Sequence, residues 1–500
     1  DQAYDPVTNK RESDPAKLKA IAEHHLTRYF QTVAPPPIGI SASPGSHDRI
    51  NYHVTDAAPE GGWAASYLPR DDVDPSLWKK LHPSGFTLEV YKAITAALKQ
   101  NSASGSDGIT ANVYSHLPNQ ATETVHALLQ LFLTHNILPD QLKYGQVCPI
   151  HKKKNKPPGL DNYRPITLLN VAVKILERYY SFRINEVFAE HPNLLDTIQH
   201  GFLPTSSTSS PLMQLNLALD DANSSMDDPR ELWIASFDVS KAFDSPEHWH
   251  IQIALRSLNL PECFIQFISE FNHLPTSAFI TAAGPTNPVR LRRGVRQGAV
   301  LSPTIYIAIL SALNRRIANA PDPYITASGH TTPGAAFADD MLSMSSSLRG
   351  TQYRVSTTAD FMYWSGMALN ATKSFLTCTR ADRIPTAPLT ITVRQRPAEY
   401  TRLPDGTFTR CHDAGTTAEA NITFSPPTAP FTYLGVTFTG SHDFTPHWQI
   451  VERIFNRDLA ALSTKRATFA ELWYAVQAVI HARLAYGTHI TLPSPSRLSK

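Results

Sequence analysis

The sequence predicts a mixed α+β fold, because amphipathic helical patterns alternate along the chain with short apolar runs typical of buried strands. Of the 500 residues, 42% are apolar and only 18% are charged, so the chain can bury a substantial core and is not disordered as a whole. The formal net charge is only +2. Any surface that binds phosphate groups must therefore be local, since the total charge does not require a nucleic-acid partner.

The composition argues against a zinc protein, a membrane protein and a secreted protein. The four cysteines, at positions 148, 263, 378 and 411, form no C-x-x-C pair, which favours reduced thiols in an intracellular protein. No apolar run reaches the roughly eighteen residues of a membrane span, and no signal peptide is present. The chain opens on Asp1 rather than methionine, so we expect a fragment of a longer protein.

The first half of the chain predicts a loop-rich extension followed by helices and one strand. Residues 1–84 mix short helical patterns with proline- and glycine-rich stretches, and we interpret them as an N-terminal extension or connector. From Phe86 the helical periodicity is clearer, and a lysine-rich run at 152–156 follows the first predicted strand. We predict helices over 86–98, 121–135, 170–189 and 211–222, and a strand over 144–151.

The second half predicts strands on both sides of a strongly apolar helix. The run WIASFDV at 233–239 is short and apolar with one aspartate near its end, which is typical of a buried strand. The proline- and threonine-rich stretch at 383–430 is predicted to be an insertion. We predict helices over 246–258 and 303–317, helical segments within 448–483, hairpins over 279–292 and 335–344, and a strand over 433–438.

Asp339 and Asp340 form an Asp-Asp pair whose surroundings differ from those of the other such pairs. The pairs at 71–72, 220–221 and 227–228 lie among polar or charged residues and are interpreted as solvated loops or helix faces. Apolar residues precede and follow Asp339 and Asp340. Two carboxylates at the tip of an apolar hairpin repel each other and are poorly hydrated, so they must take up protons or bind a cation.

Asp238 is the third candidate carboxylate, at the end of the predicted strand WIASFD. Alone, it could simply cap the turn that follows. Together with Asp339 and Asp340 it completes an all-oxygen site of the kind that Mg²⁺ prefers. Two such ions, roughly 4 Å apart, can activate a primer 3′-hydroxyl and stabilise the departing pyrophosphate.

Six motifs in order resemble those of the reverse transcriptases, in the form closest to non-LTR (LINE-type) retrotransposons. The resemblance extends over roughly 106–439. Any single motif is a weak signal, but six in the family's order make a chance match implausible. The motifs are Tyr163-Arg164-Pro165-Ile166 of the fingers, Asp238-Val-Ser-Lys-Ala-Phe-Asp244, Arg296-Gln297-Gly298-Ala-Val-Leu-Ser-Pro303, Phe337-Ala-Asp-Asp340, Thr372-Lys373-Ser374, and Tyr433-Leu434-Gly435 of the primer grip.

The resemblance implies roles for residues around the metals and the incoming nucleotide. Phe243 matches the steric gate, whose ring would collide with a ribose 2′-hydroxyl. Arg164, with its planar donor fork, resembles the residue that grips the triphosphate, and Lys152 or Lys153 could assist it. Asp244 is not a metal ligand by this analogy. The implied metal ligands are Asp238, Asp339, Asp340 and the backbone carbonyl of Val239, and the implied nucleotide-binding residues are Arg164, Lys152, Phe243, Gln297 and Lys373, the last a candidate general acid.

Further residues are expected to contact the template and primer. Gly298 resembles the loop residue that lets the backbone approach the template closely. The arginines at 290, 292, 293 and 296 form a basic cluster, and we favour contact with backbone phosphates over a plain exposed hairpin. The expected template–primer residues are Arg293, Arg296, Gly298, Tyr433, Leu434 and Gly435.

The resemblance implies a right-hand polymerase fold with fingers, a palm containing an antiparallel sheet, and a partial helical thumb. We expect fingers and palm over 85–439, with fingers from about 106 to 222, and a truncated thumb over 440–500. The implied partners are an RNA template, a DNA primer or target and deoxynucleoside triphosphates, with two Mg²⁺ ions (or Mn²⁺) as cofactors, in the nucleus and cytoplasm and without a membrane.

Two alternatives to a reverse transcriptase stay open. An RNA-dependent RNA polymerase would need a small or polar residue where Phe243 stands, so this residue argues against it. A non-catalytic RNA-binding protein could retain the polymerase scaffold. No endonuclease motif is present, so we expect no DNA cleavage by this fragment.

Overall fold

The computed structural model describes residues 3–4, 11–12, 14–30, 36–45, 49–152, 162–225, 229–394, 400–402, 408–410, 417–488 and 490–491. Within this part of the chain helices and strands are mixed, as predicted. Lys153, most of the lysine-rich run, Cys411 and parts of the predicted insertion lie outside the described residues.

The helices include long apolar ones in the interior and amphipathic ones at the surface. They are α1 (Pro15–Phe30), α2 (Leu88–Ala96), α3 (Ala111–Ser115), α4 (Asn119–His135), α5 (Asp140–Lys143), α6 (Val171–Glu190), α7 (Ser209–Ala222), α8 (His248–Ser257), α9 (Glu262–Phe271), α10 (Ser302–Ala318), α11 (Leu348–Trp364), α12 (Thr445–Ser463), α13 (Phe469–Ala475) and α14 (Ala482–Ala485), the last two joined by a π-helical segment (Val476–His481). The predicted helices are found with shifts of a few residues at their ends, whereas α1, α3, α5, α9 and α11 were not predicted.

The strands are mostly short. They are β1 (Ala3–Tyr4), β2 (Arg11–Glu12), β3 (Ile40–Pro44), β4 (Ile50–Val54), β5 (Gly145–His151), β6 (Tyr163–Leu168), β7 (Trp233–Phe237), β8 (Thr276–Thr281), β9 (Gly284–Pro285), β10 (Val289–Arg290), β11 (Tyr324–Ile325), β12 (Thr331–Thr332), β13 (Gly334–Phe337), β14 (Asp340–Ser345), β15 (Phe375–Cys378), β16 (Leu389–Arg394), β17 (Tyr400–Arg402), β18 (Phe408–Arg410), β19 (Thr417–Ile422), β20 (Phe424–Ser425), β21 (Phe431–Tyr433) and β22 (Val436–Phe438).

The central sheet has the strand order β13-β14-β7-β15-β20. Its first four strands are antiparallel to their neighbours, and β20 joins β15 in parallel. Strand β7 lies in the middle of this sheet with helices against it, which explains why all of its residues except Ser236 are apolar and buried. The predicted strand at 233–239 and hairpin at 335–344 are therefore confirmed, with slightly different ends.

A second sheet has the strand order β10-β8-β5-β6, with β9 against β8. Strands β5 and β6 form an antiparallel pair in which Ile150 is opposite Arg164. Strand β8 runs parallel to β5. The predicted strand over 279–283 begins earlier, at Thr276, and turns back at 282–283.

Helix α10 forms the centre of the core between the sheet and the outer helices. It begins at Ser302-Pro303, where proline is pre-set for a first helical turn, and nearly all of its apolar side chains are buried. It packs against α8, α11 and β13. A largely apolar helix needs such complete burial. Through β13, α10 supports the β13–β14 hairpin with Asp339 and Asp340, called the acidic hairpin below.

The predicted strand over 433–438 is wrong, because the segment is a hairpin of β21 and β22. Leu434 and Gly435 have positive φ angles of 45° and 84° and form a two-residue turn. Tight hairpins favour such left-handed residues, so Leu-Gly breaks what otherwise resembles one apolar strand. In the described part of the chain, none of the helices combines the length and the apolar character needed to cross a membrane.

Candidate active site

Three aspartates meet at one end of the central sheet. Strand β7 ends at Phe237, which is opposite Met341 of β14, so the adjoining residues Asp238 and Asp340 flank each other. Phe337 and Asp340 form the last pair of the β13–β14 hairpin, whose turn consists of Ala338 and Asp339. The antiparallel register thus brings together carboxylates that are about a hundred residues apart in sequence.

The electrostatic surroundings oppose full ionisation of this acidic group. Partial burial, together with the negative charges of Asp339 and Asp238, raises the pKa of Asp340 to about 6, although its side chain still reaches the open cleft. Burial also raises the pKa of Asp339; the charge of Asp238 adds to this, and Arg164 opposes it. A cation between these carboxylates would relieve both costs.

The cleft beside the sheet has a volume of about 440 Å³ and is lined by Asp238, Asp340 and Lys373 among others. The Lys373 ammonium lies 3.5 Å from Asp238 Oδ2. The Asp238 backbone is held by two bonds: its N–H donates to Ser374 Oγ (3.2 Å), and its C=O accepts from Asn370 (2.8 Å). In the described part of the chain, no three side chains of histidine, cysteine, aspartate or glutamate are grouped closely enough to hold a metal ion as they stand.

Aromatic side chains lie next to the aspartates. The ring of Phe243 is stacked on that of Tyr306 from α10, with centroids 4.9 Å apart, and Phe202 stands at its edge. Burial raises the pKa of Tyr306 well above its usual value, and the charges of Asp339 and Asp340 add to the effect. The residue expected as the steric gate therefore lies beside the acidic hairpin.

Basic side chains from four segments face the carboxylates. Burial lowers the pKa of Lys152, and the charges of Lys241, Lys373 and Arg164 lower it further, against the opposing effect of Asp244. Arg164 itself is exposed on β6. The structure thus brings Arg164, Lys152 and Lys373 within electrostatic range of one another near the aspartates, and adds Lys241, which sequence reasoning missed.

The loop 296–301, called the glycine loop below, is hydrogen-bonded to strand β6 and to Asp244. Gln297 Nε2 donates to Asp244 Oδ1 (3.0 Å), and the Gln297 C=O accepts from the N–H of Thr167 in β6 (2.6 Å). Gly298 has a φ of 115°, and a Cβ there would lie 2.5 Å from the Thr167 carbonyl oxygen. Only glycine fits this backbone approach. Asp244 is buried and bonded to Gln297.

The β21–β22 hairpin lies behind the acidic hairpin. The Tyr433 hydroxyl donates to the carbonyls of Ala335 (3.2 Å) and Asp340 (3.5 Å). The ring of Tyr433 is buried against the sheet. This burial contradicts the expectation that the Tyr433 side chain contacts template or primer. The turn residues Leu434 and Gly435 remain accessible, and the Tyr486 hydroxyl donates to the Leu434 carbonyl (2.6 Å).

Arg293 and Arg296 are buried, which corrects the expectation that they contact nucleic-acid phosphates. Arg296 donates to the carbonyls of Lys143 (2.7 Å) and Phe271 (2.6 Å) and stacks on the Phe271 ring. Arg293 Nη1 lies 3.3 Å from the buried Glu247. Both guanidinium groups satisfy interior acceptors and cannot reach a ligand.

Val239 is buried and forms an isolated bridge with Leu369 just beyond the sheet. Two polar residues that support the site were not identified from the sequence. Ser374, next to the lysine motif, anchors Asp238. Glu177 on α6 is fully buried and accepts from the N–H of Leu301 (3.3 Å), so it fixes the end of the loop 296–301 to α6. Its helix also contains Glu186 and Glu190, so the sequence held no signal that singled out Glu177.

Comparisons with known proteins agree with this geometry. Residues 150–438 match the family model described as reverse transcriptase (RNA-dependent DNA polymerase). The Pol polyprotein of the type-2 retrotransposable element R2DM of Drosophila melanogaster is 27% identical over 335 residues, which cover 63% of this chain and 30% of that protein. The Pol polyprotein of a type-1 element R2 of Popillia japonica is 30% identical over 277 residues, 55% of this chain and 37% of that protein.

A third relative is the RNA-directed DNA polymerase from mobile element jockey of Drosophila melanogaster, 27% identical over 46% of this chain and 24% of that protein. The chain spans only about a quarter to just over a third of the length of these relatives. The apo telomerase of Candida tropicalis truncated from its C-terminal domain superposes with a TM-score of 0.38 and 10% identity, over 61% of this chain and 55% of that one, too low a score to bear on the fold.

The family match extends over more than half of the chain and includes the fingers motif, the acidic hairpin and the glycine loop. A right-hand polymerase fold is the architecture of this family, and the mixed helix and sheet content agrees with it. The chain belongs to the reverse transcriptase (RNA-dependent DNA polymerase) family, and its homologues include the polymerases of the non-LTR elements R2 and jockey.

Proposed function

We propose that this chain is the RNA-directed DNA polymerase of a non-LTR retrotransposon, which adds deoxynucleotides to a primer 3′-end on an RNA template. The observation that carries the proposal is the convergence of Asp238, Asp339 and Asp340 at one end of the sheet, with basic side chains close by. Carboxylates on one side and cations on the other suit metal-assisted transfer of a nucleoside triphosphate.

The donor set fits two Mg²⁺ ions, or Mn²⁺ in their place. All three side chains are carboxylates, and burial and mutual repulsion raise the pKa of Asp339 and of Asp340, so that a cation is favourable there. Asp238, Asp339, Asp340 and the carbonyl of Val239 would hold the ions. When bound, the ions lower the pKa of the primer hydroxyl and offset the charge of the leaving pyrophosphate. Asp238 would exchange its contact with Lys373 for a metal ion.

The basic side chains of the cleft are assigned to the incoming triphosphate. Arg164 on β6 and Lys152 at the end of β5 lie on the fingers side, where a planar fork and a point charge can both bind phosphate oxygens. Lys373 stands within 3.5 Å of Asp238 and is placed to protonate the leaving pyrophosphate. Gln297 is also assigned to the nucleotide, and its bond to Asp244 fixes its side chain.

Phe243 is assigned to sugar discrimination. Its ring lies flat on Tyr306 and is held by the backbone bond from the N–H of Val295 to its carbonyl (2.8 Å). A ring fixed in this way cannot turn aside for a 2′-hydroxyl, so the site should accept deoxynucleotides and reject ribonucleotides.

The template and primer are assigned to the surface between the glycine loop and the β21–β22 turn. Gly298 and Gly435 are exposed there, and Leu434 is half-buried beside Gly435. In this layout residues 1–84 are the extension, 85–439 the fingers and palm with the insertion at 383–430, and 440–500 a partial helical thumb beginning with α12. RNA template, DNA target, deoxynucleotides and a nuclear and cytoplasmic location belong to the proposal through the retrotransposon relatives.

Primer extension on poly(rA)/oligo(dT) with dTTP and Mg²⁺ tests the proposal. The wild type is compared with Asp339→Asn and with Asp71→Asn, which removes an exposed carboxylate from another Asp-Asp pair. We expect extension by the wild type and Asp71→Asn, and its loss in Asp339→Asn with RNA binding intact, because only Asp339 lies in the acidic group.

Normal extension by Asp339→Asn would refute the two-metal assignment. If no variant extends the primer although each is folded and binds RNA, the polymerase proposal fails and the alternative of a non-catalytic RNA-binding protein on this scaffold is favoured.

A further inference from the structure

The segment 196–201 runs along the outer edge of the acidic hairpin. The N–H of Ala336 donates to the carbonyl of Ile198 (2.8 Å), and the N–H of His200 donates to the carbonyl of Ala336 (2.7 Å). These bonds give Gln199 a parallel bridge to Ala336 in β13. The segment therefore acts as an added edge to the strand that leads into Ala338 and Asp339.

The side chain of Gln199 holds the turn itself. It is 3% exposed. Its Oε1 accepts from the N–H of Ala338 (2.8 Å) and from the N–H of Gly201 (2.8 Å), while its Nε2 donates to the Ala338 carbonyl (3.5 Å). One buried amide thus binds both backbone groups of the residue that precedes Asp339.

Ala338 needs such support because its φ is 56°, in the left-handed region. A residue with a Cβ is disfavoured there by about 1–2 kcal/mol and stays only where the surroundings enforce it. Without the Gln199 bonds the turn can relax, and Asp339 and Asp340 move with it. A metal site tolerates only small departures, roughly 0.5 Å, from its productive geometry.

Gln199 is itself fixed from the core. The buried Asp196 accepts from the N–H groups of Ile198 (3.0 Å) and Gln199 (2.7 Å), and from Asn314 Nδ2 of α10 (3.1 Å). Gly201 leaves room for the contact, since a Cβ at this position would overlap the Ala338 nitrogen. The chain of bonds runs from α10 through Asp196 and Gln199 to the acidic turn.

We propose that Gln199 is a positioning residue that fixes the left-handed turn at Ala338 and thereby sets the affinity of Asp339 and Asp340 for the divalent cation. The inference rests on the proposed function. Gln199 touches neither metal nor substrate, and it acts only through the backbone of Ala338.

The test measures Mn²⁺ binding by electron paramagnetic resonance in the absence of nucleotide, beside the Mn²⁺ dependence of primer extension. Gln199→Met keeps the size of the side chain and removes its hydrogen bonds. Gln252→Met is the matched control, because Gln252 is also a buried amide that bonds the backbone, accepting from Tyr52 (3.0 Å) and donating to Ile50 (2.8 Å), away from the cleft.

We expect Gln199→Met to bind Mn²⁺ about tenfold more weakly and to need correspondingly more Mn²⁺ for half-maximal extension, with much of the maximal rate restored at saturation. Gln252→Met should match the wild type in both measurements. Gly201→Ala, which pushes on Ala338 from the same side, should also weaken Mn²⁺ binding, and it tests the contact if Gln199→Met does not fold.

Unchanged Mn²⁺ affinity in folded Gln199→Met and Gly201→Ala, with an active wild type, would overturn the positioning role and leave the proposed function standing. Equal weakening in Gln252→Met would also overturn it, since the effect would then be general. Mn²⁺ binding by the wild type without any primer extension would refute the polymerase proposal instead, while the binding data still decide the role of Gln199.

Discussion

Replacement of Glu177 by glutamine should stabilise the protein at alkaline pH and change it little near pH 4.5. Glu177 lies on α6 with a side chain that is 0% exposed, and its Oε1 accepts from the N–H of Leu301. Burial raises its pKa to about 7, while the N–H groups of Leu301 and Val300 and the charge of Arg296 act in the opposite direction. Glutamine keeps the acceptor and has no proton to lose.

The magnitude follows from proton linkage. The ordinary glutamate pKa is 4.5, and that of folded Glu177 is about 7, so between these values the folded protein holds a proton that the unfolded chain releases. The contribution of Glu177 to the stability is therefore highest below pH 4.5, falls as the pH rises towards 7, and is constant above. At about 1.4 kcal/mol for each pH unit, the whole loss is about 3 kcal/mol.

Urea unfolding of the wild type and of Glu177→Gln at pH 4.5 and pH 8.5 measures this difference. The variant should gain about 2–3 kcal/mol over the wild type at pH 8.5 and less than about 1 kcal/mol at pH 4.5. Glu262→Gln serves as control, because Glu262 is exposed and pairs with Arg256 at 2.7 Å, an interaction that contributes less than about 1 kcal/mol. The same pH dependence in the wild type and in Glu177→Gln would refute the reasoning.

Three further outcomes are expected. Phe243→Ala should reduce the preference for dTTP over UTP, measured as the ratio of kcat/KM values, by roughly tenfold or more, and an unchanged ratio would contradict the gate. Gly298→Ala should weaken nucleotide binding and lower the stability by about 1–3 kcal/mol, because the added Cβ meets the Thr167 carbonyl. Gly61→Ala is the control, since Gly61 also has a positive φ but no neighbour within 4 Å, and this variant should keep the normal KM for the nucleotide. Arg296→Met should lower the free energy of unfolding by several kcal/mol, because the guanidinium is buried, and should leave the salt dependence of RNA binding unchanged. Arg292→Ala, at an exposed position, should reduce that salt dependence. A smaller salt dependence in Arg296→Met would contradict its interior role.

The sequence was sufficient to predict the strands that carry the aspartates. Strand β7 lies in the middle of the sheet, and a mainly apolar run ending in Asp238 is what a strand buried on both faces requires. The hairpin around Asp339 and Asp340 was predictable for a similar reason, since apolar residues flank two charges that need a turn. Local patterns are reliable where burial alone decides the structure.

Other features depend on contacts between distant segments, and a local pattern does not contain them. Arg293 and Arg296 belong to a basic run that resembles an exposed hairpin, yet the Arg296 guanidinium fills a site formed by the carbonyls of Lys143 and Phe271. Gln199 is bonded to Ala338 across 139 residues. The turn at Leu434-Gly435 was missed because leucine seldom adopts a positive φ.

The distribution of charge shows why a net charge of +2 is compatible with a site for polyphosphate. Lys152, Arg164, Lys241 and Lys373 come from four segments and meet only in the folded chain, where their mutual repulsion helps to lower the pKa of Lys152. The three aspartates beside them repel one another in the same way. In the proposed function, a triphosphate with its metal ions would relieve the repulsion within both clusters. This relief would favour binding at these residues over binding elsewhere on a nearly neutral surface.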